Sequence, residues 1–257
     1  MADLRSYLDK LCEFAPLYIK EEWDNVGLMC GDEKSEIKGV MISLDLTLDV
    51  ISEAIEKNCN LIITHHPFIF DKISCIDFNT PMGEKINKLI KNDINVVSMH
   101  TNLDKAAGGV NDVLCEKLNL SSVENLTDEE FSIGRIGVLN KEISLKDFVL
   151  FVKETLKTTG IKYIGCDEKK IKKVAVVSGS GSEFYCDAIK KEADVFLTSE
   201  VKHHIAVDCM ERDFTIIDAG HFETENPVAE KIKSYLLKEF DVKILISKSY
   251  NKLFKEV

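Results

Sequence analysis

Two adjacent histidines follow an apolar run in the first third of the chain. Residues 61–64 (Leu-Ile-Ile-Thr) are typical of a buried strand, and His65, His66 and Pro67 come directly after it. Side chains of neighbouring residues on an extended backbone diverge, so each histidine can bind a different metal ion. A single histidine at a strand end is more often a hydrogen-bonded core or rim residue, but an adjacent pair favours a metal site.

Two further histidines are each followed four residues later by a carboxylate. His100 precedes Asp104, and His221 precedes Glu225. Imidazole and carboxylate together suit Zn, Mn or Fe, and the absence of cysteine from both segments argues against a soft site. For Glu225 alone, the simpler explanation is an acid in the first turn of a helix, where it favours the helix dipole.

These residue types allow a centre of two divalent metal ions. A carboxylate such as Glu225 can bridge two cations through its two oxygens, while the histidines and Asp104 complete each shell and leave a position for water. A water shared by cations roughly 3.5–4 Å apart becomes a bridging hydroxide near neutral pH. The predicted chemistry is therefore that of a metal-dependent hydrolase.

Strand-like and helix-like segments alternate along the chain, as in α/β folds with parallel strands. The predicted strands are 39–45, 60–65, 94–100, 174–178, 194–198, 214–219 and 242–247. The predicted helices include 47–58, 83–92, 182–191 and 201–212. Ligands of such sheets bind at the carboxyl ends of the strands. Each histidine or carboxylate motif falls at such an end.

The two halves of the chain also match one another. Val40 aligns with Val174 and Leu61 with Val195, so the step between strands is 21 residues in both halves. The third strand of each half is followed by a histidine–carboxylate pair. An internal duplication explains this match, although a chance likeness between βαβ segments is the alternative.

The alignment predicts an α/β fold of two βαβ-type α/β/α halves, with the metal site between them. The halves are residues 1–125, with the His-His and His-x-x-x-Asp motifs, and residues 126–257, with the Thr-Ser-Glu and His-x-x-x-Glu motifs. Residues 121–172 find no counterpart in the first half. They are predicted to form extra strands and a helix.

Several motifs in a fixed order resemble one known family. They are Glu22-Trp23-Asp24-Asn25-Val26-Gly27-Leu28, Thr64-His65-His66-Pro67, His100-Thr101-Asn102-Leu103-Asp104 with Gly108-Gly109-Val110-Asn111, and Gly220-His221 with Thr224-Glu225. Together they resemble the Nif-three-like dinuclear metal-centre family in its short form, also known as GTP cyclohydrolase I type 2 homologues. The resemblance extends over essentially the whole chain.

The resemblance implies a toroidal homohexamer with two divalent metal ions (Zn, Mn or Fe) per subunit facing a central cavity. The ligands carried over by motif are His65, His66, Asp104, His221 and Glu225. Glu225 would be the bridge and a catalytic residue. His100 and Glu200 would lie near the ions as further catalytic residues, orienting ligands or handling protons.

Three other features belong near this predicted site. Ser199 stands where the family usually has glycine, so its side chain is expected to narrow the cavity. The Ser-Gly-Ser-Gly-Ser segment at 178–182 is either a phosphate-binding loop or, as we prefer, a tight turn with Ser182 as helix cap. Trp23 is expected to line the cavity because it lies in a family motif.

Two functions fit the sequence. The first is a metal-dependent hydrolase acting on a small molecule. For this function the family resemblance implies a nucleotide substrate and GTP ring opening, in which water adds to C8 of the purine and formate leaves. The second is a non-enzymatic protein that stores or senses metal or serves as an oligomeric scaffold. The net charge of −11 opposes nucleic-acid binding. The lack of a long apolar run or signal pattern predicts a cytoplasmic protein without a membrane partner.

Overall fold

The fold was obtained as a computed structural model, and the structure describes residues 2–249. The helices are α1 (Leu4–Phe14), α2 (Leu48–Glu56), α3 (Pro81–Lys91), α4 (Thr101–Lys105), α5 (Val110–Lys117), α6 (Leu145–Leu156), α7 (Tyr185–Lys190), α8 (His203–Glu211), α9 (His221–Glu225) and α10 (Val228–Leu236). The strands are β1 (Gly27–Cys30), β2 (Gly39–Ser43), β3 (Leu61–Thr64), β4 (Asn95–Ser98), β5 (Leu120–Asn125), β6 (Arg135–Ser144), β7 (Lys162–Ile164), β8 (Lys170–Val176), β9 (Val195–Thr198), β10 (Thr215–Asp218) and β11 (Lys243–Ile246). Within residues 2–249, no helix is both long enough and apolar enough to span a membrane.

The chain divides into two α/β units, each with its own mixed sheet. The first unit contains residues 2–106 and 228–249, and the second contains residues 107–227. The sheet of the first unit has the order β1-β4-β3-β2-β11, and that of the second has the order β5-β6-β8-β9-β10-β7. The predicted α/β class with two βαβ-type halves is therefore confirmed.

The parallel strands of both units carry apolar side chains on both faces. Every residue of β2, β3, β4 and β9 is buried, as expected for parallel strands covered by helices. The connecting helices begin where the sequence provides a cap. The Thr47 side chain accepts a hydrogen bond from the Val50 amide before α2, and Thr80 does the same for Gly83 at α3.

The 21-residue step that the two halves share in the sequence corresponds to paired positions on adjacent parallel strands. Val40 pairs with Leu61 in the first unit, and Val174 pairs with Val195 in the second. The repeat also extends further than the sequence indicates. Each unit has a helix, an edge strand and then three parallel strands, and the edge strands β1 and β7 are both antiparallel to the third parallel strand.

This longer repeat corrects the expectation that residues 121–172 have no counterpart. Within that segment, α6 and β7 come in the same order along the chain as α1 and β1, and β5 and β6 are the additional strands. The signal is weak because β1 and β7 are short strands without a buried residue. Short edge strands lack the apolar run by which a buried strand is recognised.

The end of the described chain returns to the first unit. β11 pairs in parallel with β2, and the rings of Phe14 and Tyr235 stack at a centroid distance of 4.8 Å. A second stack joins Tyr7 to Phe240 at 3.8 Å. The structural units thus differ from the predicted division at residue 125, because α10 and β11 complete the first sheet. Residues 250–257 of the predicted second half lie outside the described residues.

Two adjacent leucines test the packing of α10 in the first unit. Leu236 is fully buried and Leu237 is 50% exposed. Leu236→Ala should lower the free energy of unfolding by roughly 2–5 kcal/mol because it leaves a cavity in the core. Leu237→Ala should change it by less than about 1 kcal/mol. Urea unfolding followed by circular dichroism measures both, and equal losses would contradict this placement of α10.

Candidate metal centre

The first unit holds a cluster of three histidines at the carboxyl ends of its strands. His65 and His66 directly follow β3, and His100 precedes α4. The ring centroid of His65 lies 4.9 Å from that of His66 and 5.3 Å from that of His100. The nitrogens that the three rings offer lie within 4.8 Å of one another, which makes the cluster a possible metal-binding group.

Each ring in this cluster is held through Nδ1. His65 Nδ1 donates to the carbonyl of Met99 at 2.8 Å, and His66 Nδ1 bonds to Asp45 Oδ1 at 3.0 Å. His100 Nδ1 bonds to Asp24 Oδ1 at 2.9 Å. A carbonyl or carboxylate oxygen can only accept, so Nδ1 carries a proton in each of these rings.

Asp24 is fully ionised in this setting. Burial alone would raise the pKa of its carboxyl group, but hydrogen bonds from His100 and Thr101 lower that pKa to about 2. Its second oxygen, Oδ2, accepts the backbone amide of Thr101 at 3.0 Å, at the start of α4. Asp24 therefore fixes both the His100 ring and the first turn of the short helix that carries Asp104.

The Asp104 carboxylate faces Nε2 of His65. The distance from His65 Nε2 to Asp104 Oδ1 is 3.6 Å, and both side chains are largely buried. Two ligand atoms that share a tetrahedral ion at about 2.1 Å lie about 3.4 Å apart. The pair is therefore spaced as two ligands of one cation.

The second unit contains a similar histidine–carboxylate pair on α9. His221 Nε2 lies 2.9 Å from Glu225 Oε2, and the Glu225 side chain is nearly buried. On the other side of the ring, His221 Nδ1 bonds to Glu200 Oε1 at 2.8 Å. Nitrogen and carboxylate oxygen again converge, with the second ring nitrogen held by an acceptor.

Glu200 adopts a left-handed backbone conformation at the end of β9, with φ of +53°. Most other non-glycine residues with positive φ in the described chain follow a helix, such as Asn58, Asp93 and Asp213. This conformation is costly for a residue with a Cβ and recurs at functional sites. Here it accompanies the contact between the Glu200 carboxylate and His221.

The donor set fits divalent cations. Four of the six histidines donate from or bond through Nδ1 to a carbonyl or carboxylate oxygen. Such contacts fix the tautomer and orientation of metal-binding histidines in proteins. The remaining ligand atoms are imidazole nitrogens and carboxylate oxygens, as Zn, Mn and Fe prefer.

The matched His-x-x-x-acid pairs are not at equivalent backbone positions. Thr64 pairs with Ser98, and Thr198 pairs with Asp218, so His100 corresponds to Gly220 rather than to His221. The first helical hydrogen bonds agree, since the amide of Asp104 donates to residue 100 and the amide of Thr224 donates to residue 220. The shared spacing is therefore shifted by one residue between the units.

The glycine-rich loop at 178–182 serves the second pair directly. Gly179 has a φ of +60°, and a Cβ placed there would clash with Glu225 Oε1 and lie 3.3 Å from His221 Nε2. The amide of Gly179 donates to Thr224 Oγ1 at 3.0 Å, and the amide of Ser178 donates to Asn111 Oδ1 at 2.8 Å. Since these amides bond within the protein, the loop is a tight turn and not a phosphate cradle.

Two side-chain expectations for this region were wrong. Ser182 does not cap a helix through its side chain; its hydroxyl donates to the carbonyl of Glu200 at 3.3 Å. Ser199 is fully buried, and its hydroxyl donates to the carbonyl of Gly179. Its side chain therefore braces the glycine loop, because the loop offers an acceptor at hydrogen-bond distance.

Sequence reasoning missed three residues that position the first cluster. Asp45 and Asp24 accept hydrogen bonds from His66 and His100, and Asn25 donates to the carbonyl of Ile69 at 2.6 Å. Asp45 is the last residue of the predicted strand 39–45, and a carboxylate at a strand end is a usable signal. Asp24 and Asn25 stood in a recognised motif, but their partners lie 76 and 44 residues away along the chain.

The fold and these side chains define an α/β protein with groups that can bind metal, and comparisons with known proteins agree. A family model described as Duf34/NIF3 (NGG1p interacting factor 3) matches residues 2–252. A Clostridium acetobutylicum protein named GTP cyclohydrolase 1 type 2 homolog is 44% identical over 220 residues, covering 84% of this chain and 82% of that protein. A Clostridium perfringens protein of the same name is 40% identical over 253 residues, covering 95% and 96%.

Solved structures give the same answer. The crystal structure of Staphylococcus aureus hypothetical protein SA1388 is similar to this chain with a TM-score of 0.93 at 29% identity, covering 99% of both chains. The chain therefore belongs to the Duf34/NIF3 family, and the family resemblance inferred from its motifs is confirmed.

Gly179 provides a test of the second pair that leaves every candidate ligand intact. Gly179→Ala should weaken metal binding about 10- to 100-fold, because the new methyl group displaces the Glu225 carboxylate. Ser180→Ala is the matched control, since Ser180 is the exposed neighbour in the same loop. Isothermal titration with Zn²⁺ or Mn²⁺ measures the affinities. Unchanged affinity in a folded Gly179→Ala protein would contradict a role of this pair in metal binding.

Proposed function

We propose that this protein is a metal-dependent hydrolase that binds two divalent cations per chain. The proposed ligands are His65, His66 and Asp104 in the first unit, and His221 and Glu225 in the second. Glu225 is the proposed bridge because its two oxygens can each bind one ion. The observation that carries the proposal is the Nδ1 anchoring of four histidines, because such contacts fix the orientation of metal-binding rings in proteins.

Bound cations would supply electrophilic polarisation and a water whose pKa is lowered towards neutrality. The protein's own residues supply orientation and proton handling. Asp24 holds His100 with Nε2 directed away from the carboxylate, so His100 is proposed to accept or donate a proton at that atom. Glu200 is proposed to fix His221 through Nδ1, and its exposed carboxylate is available to exchange protons with solvent.

A nucleotide is the proposed substrate class. The support is the printed name of the Clostridium relatives, GTP cyclohydrolase 1 type 2 homolog. For GTP, the corresponding reaction is hydrolytic opening of the purine ring, in which water adds to C8 and formate is released. We further propose that the protein works as a homohexamer in the cytoplasm.

Metal content is the first test of this proposal. Protein purified without a tag and reconstituted with Zn²⁺, Mn²⁺ or Fe²⁺ should contain about two equivalents per chain, as a dinuclear site requires. His65→Ala and Glu225→Gln should each lose metal, whereas His203→Ala, an exposed histidine at the start of α8, should not. Plasma mass spectrometry gives the stoichiometry, and light scattering checks that the variants keep the wild-type assembly state. Wild-type protein that binds no metal after reconstitution would refute the proposal.

Turnover distinguishes an enzyme from a metal store, sensor or scaffold. Metal-loaded protein should release formate from GTP, and Glu200→Gln should lower the rate about 10- to 100-fold by loosening His221. Glu211→Gln, at an exposed position of α8, should leave the rate unchanged. Formate is measured by a coupled dehydrogenase assay. Full metal occupancy without turnover of GTP or of a panel of nucleotides and phosphoesters would favour the non-enzymatic function.

A further inference from the structure

Two exposed aromatic rings stand beside the histidine cluster of the first unit. Trp23 is 60% exposed and Phe70 is 51% exposed. Their ring centroids lie 5.8 Å apart, and those of Trp23 and Phe70 lie 6.1 Å and 6.5 Å from that of His100. Large aromatic side chains with this much exposure commonly mark a binding surface. We call this pair the aromatic wall.

The aromatic wall is held by the same segment that anchors His100. Asp24 bonds to His100 and to the start of α4, while Asn25 donates to the carbonyl of Ile69, the residue before Phe70. The backbone amide of Asn25 in turn donates to Asp24 Oδ1 at 2.8 Å. Trp23 is thus adjacent to Asp24, which holds His100, and Phe70 is adjacent to Ile69, which Asn25 holds. A loosely placed surface pair would have no such connection.

The geometry favours a flat ligand. The two rings are inclined by 49° and do not stack on one another, and more than half of each side chain is exposed, so a third ring can approach them. All nucleobases can stack on aromatic side chains, because every base has a π face. Beside the aromatic wall lies the histidine cluster, whose ring nitrogens are within 4.8 Å of one another. A nitrogen or oxygen atom of the ligand would contact a cation bound there.

We propose that Trp23 and Phe70 form the binding surface for the planar heteroaromatic ring of the ligand, which stacks there with a nitrogen or oxygen atom directed to the histidine cluster. This inference rests on the proposed function for the identity of the reacting centre. It adds the residues that recognise the base ring of the proposed nucleotide and the way in which the ring is held. Ribose and phosphate would make no contribution to stacking.

Trp23 is the single tryptophan of the chain, so its fluorescence reports on this surface alone. Metal-loaded protein is titrated with GMP, AMP and UMP, and with ribose 5-phosphate as the matched probe without a ring. Saturable quenching by at least one base-containing probe, and none by ribose 5-phosphate, is the expected result. Absence of saturable quenching by all three nucleotides would overturn the proposal.

Variants of Trp23 and Phe70 distinguish aromatic stacking from simple filling of space by a large side chain. Trp23→Phe keeps an aromatic face and should bind the nucleotide within about threefold of wild type, whereas Trp23→Leu and Phe70→Leu should weaken binding about tenfold or more. Equilibrium dialysis with labelled nucleotide measures these affinities without using fluorescence. Equal affinities in Trp23→Phe and Trp23→Leu would overturn a stacking role even if the nucleotide binds.

Two further readings separate this proposal from its alternatives. Metal content is measured in every variant, and Trp23→Leu should retain the wild-type amount. If wild-type protein binds the nucleotides but binds no metal after reconstitution, the role of the aromatic wall is supported and the metal-dependent hydrolase is refuted. If Trp23→Leu instead changes the assembly state in light scattering and wild-type protein binds no nucleotide, the wall is a contact between copies of the chain and the proposal fails.

Discussion

The candidate centre depends on hydrogen bonds that hold one nitrogen of each histidine. An imidazole ring at a strand end can rotate and can carry its proton on either nitrogen, and both freedoms would spoil a metal site. Met99, Asp45, Asp24 and Glu200 remove them by accepting from Nδ1. Three of these acceptors are carboxylates, which also raise the basicity of the ring they hold. Fixing the acceptors is therefore the requirement that the surrounding turns and helices have to meet.

Both units have the same arrangement of parallel strands and a short helix, but they hold their histidines at different positions in it. Both place a short helix directly after the third parallel strand, and both put a histidine and a carboxylate four residues apart at its start. Yet His100 precedes the helix whereas His221 is its first residue, and the strand register makes Gly220 the equivalent of His100. A duplicated framework explains the common strand edge. The shift by one residue indicates that the ligand positions diverged after the framework was repeated.

Much of this arrangement could be predicted from local sequence, and the remainder depends on distant partners. Apolar runs fully buried in the sheets, such as residues 61–64, made the parallel strands and the histidines at their ends recognisable. The correspondence of edge strand β7 to β1 was missed because none of the three residues of β7 is buried. Asp24 could not be assigned a partner, because the chain between it and His100 comprises most of the first sheet. Ser199 was misjudged because its acceptor, the Gly179 carbonyl, belongs to another loop.

The segment Trp23-Asp24-Asn25 shows why such non-local contacts matter for chemistry. Asp24 bonds to His100 Nδ1, and Asn25 fixes the chain beside Phe70. The Trp23 ring lies 5.8 Å from that of Phe70 and 6.1 Å from that of His100. If these three residues belonged to separate segments of the chain, the aromatic wall and the histidine cluster could move relative to one another. Because consecutive residues serve both surfaces, a displacement of either is transmitted through one or two backbone bonds. The position of the Trp23 ring and the orientation of the His100 ring are thus constrained together by one short segment of the chain.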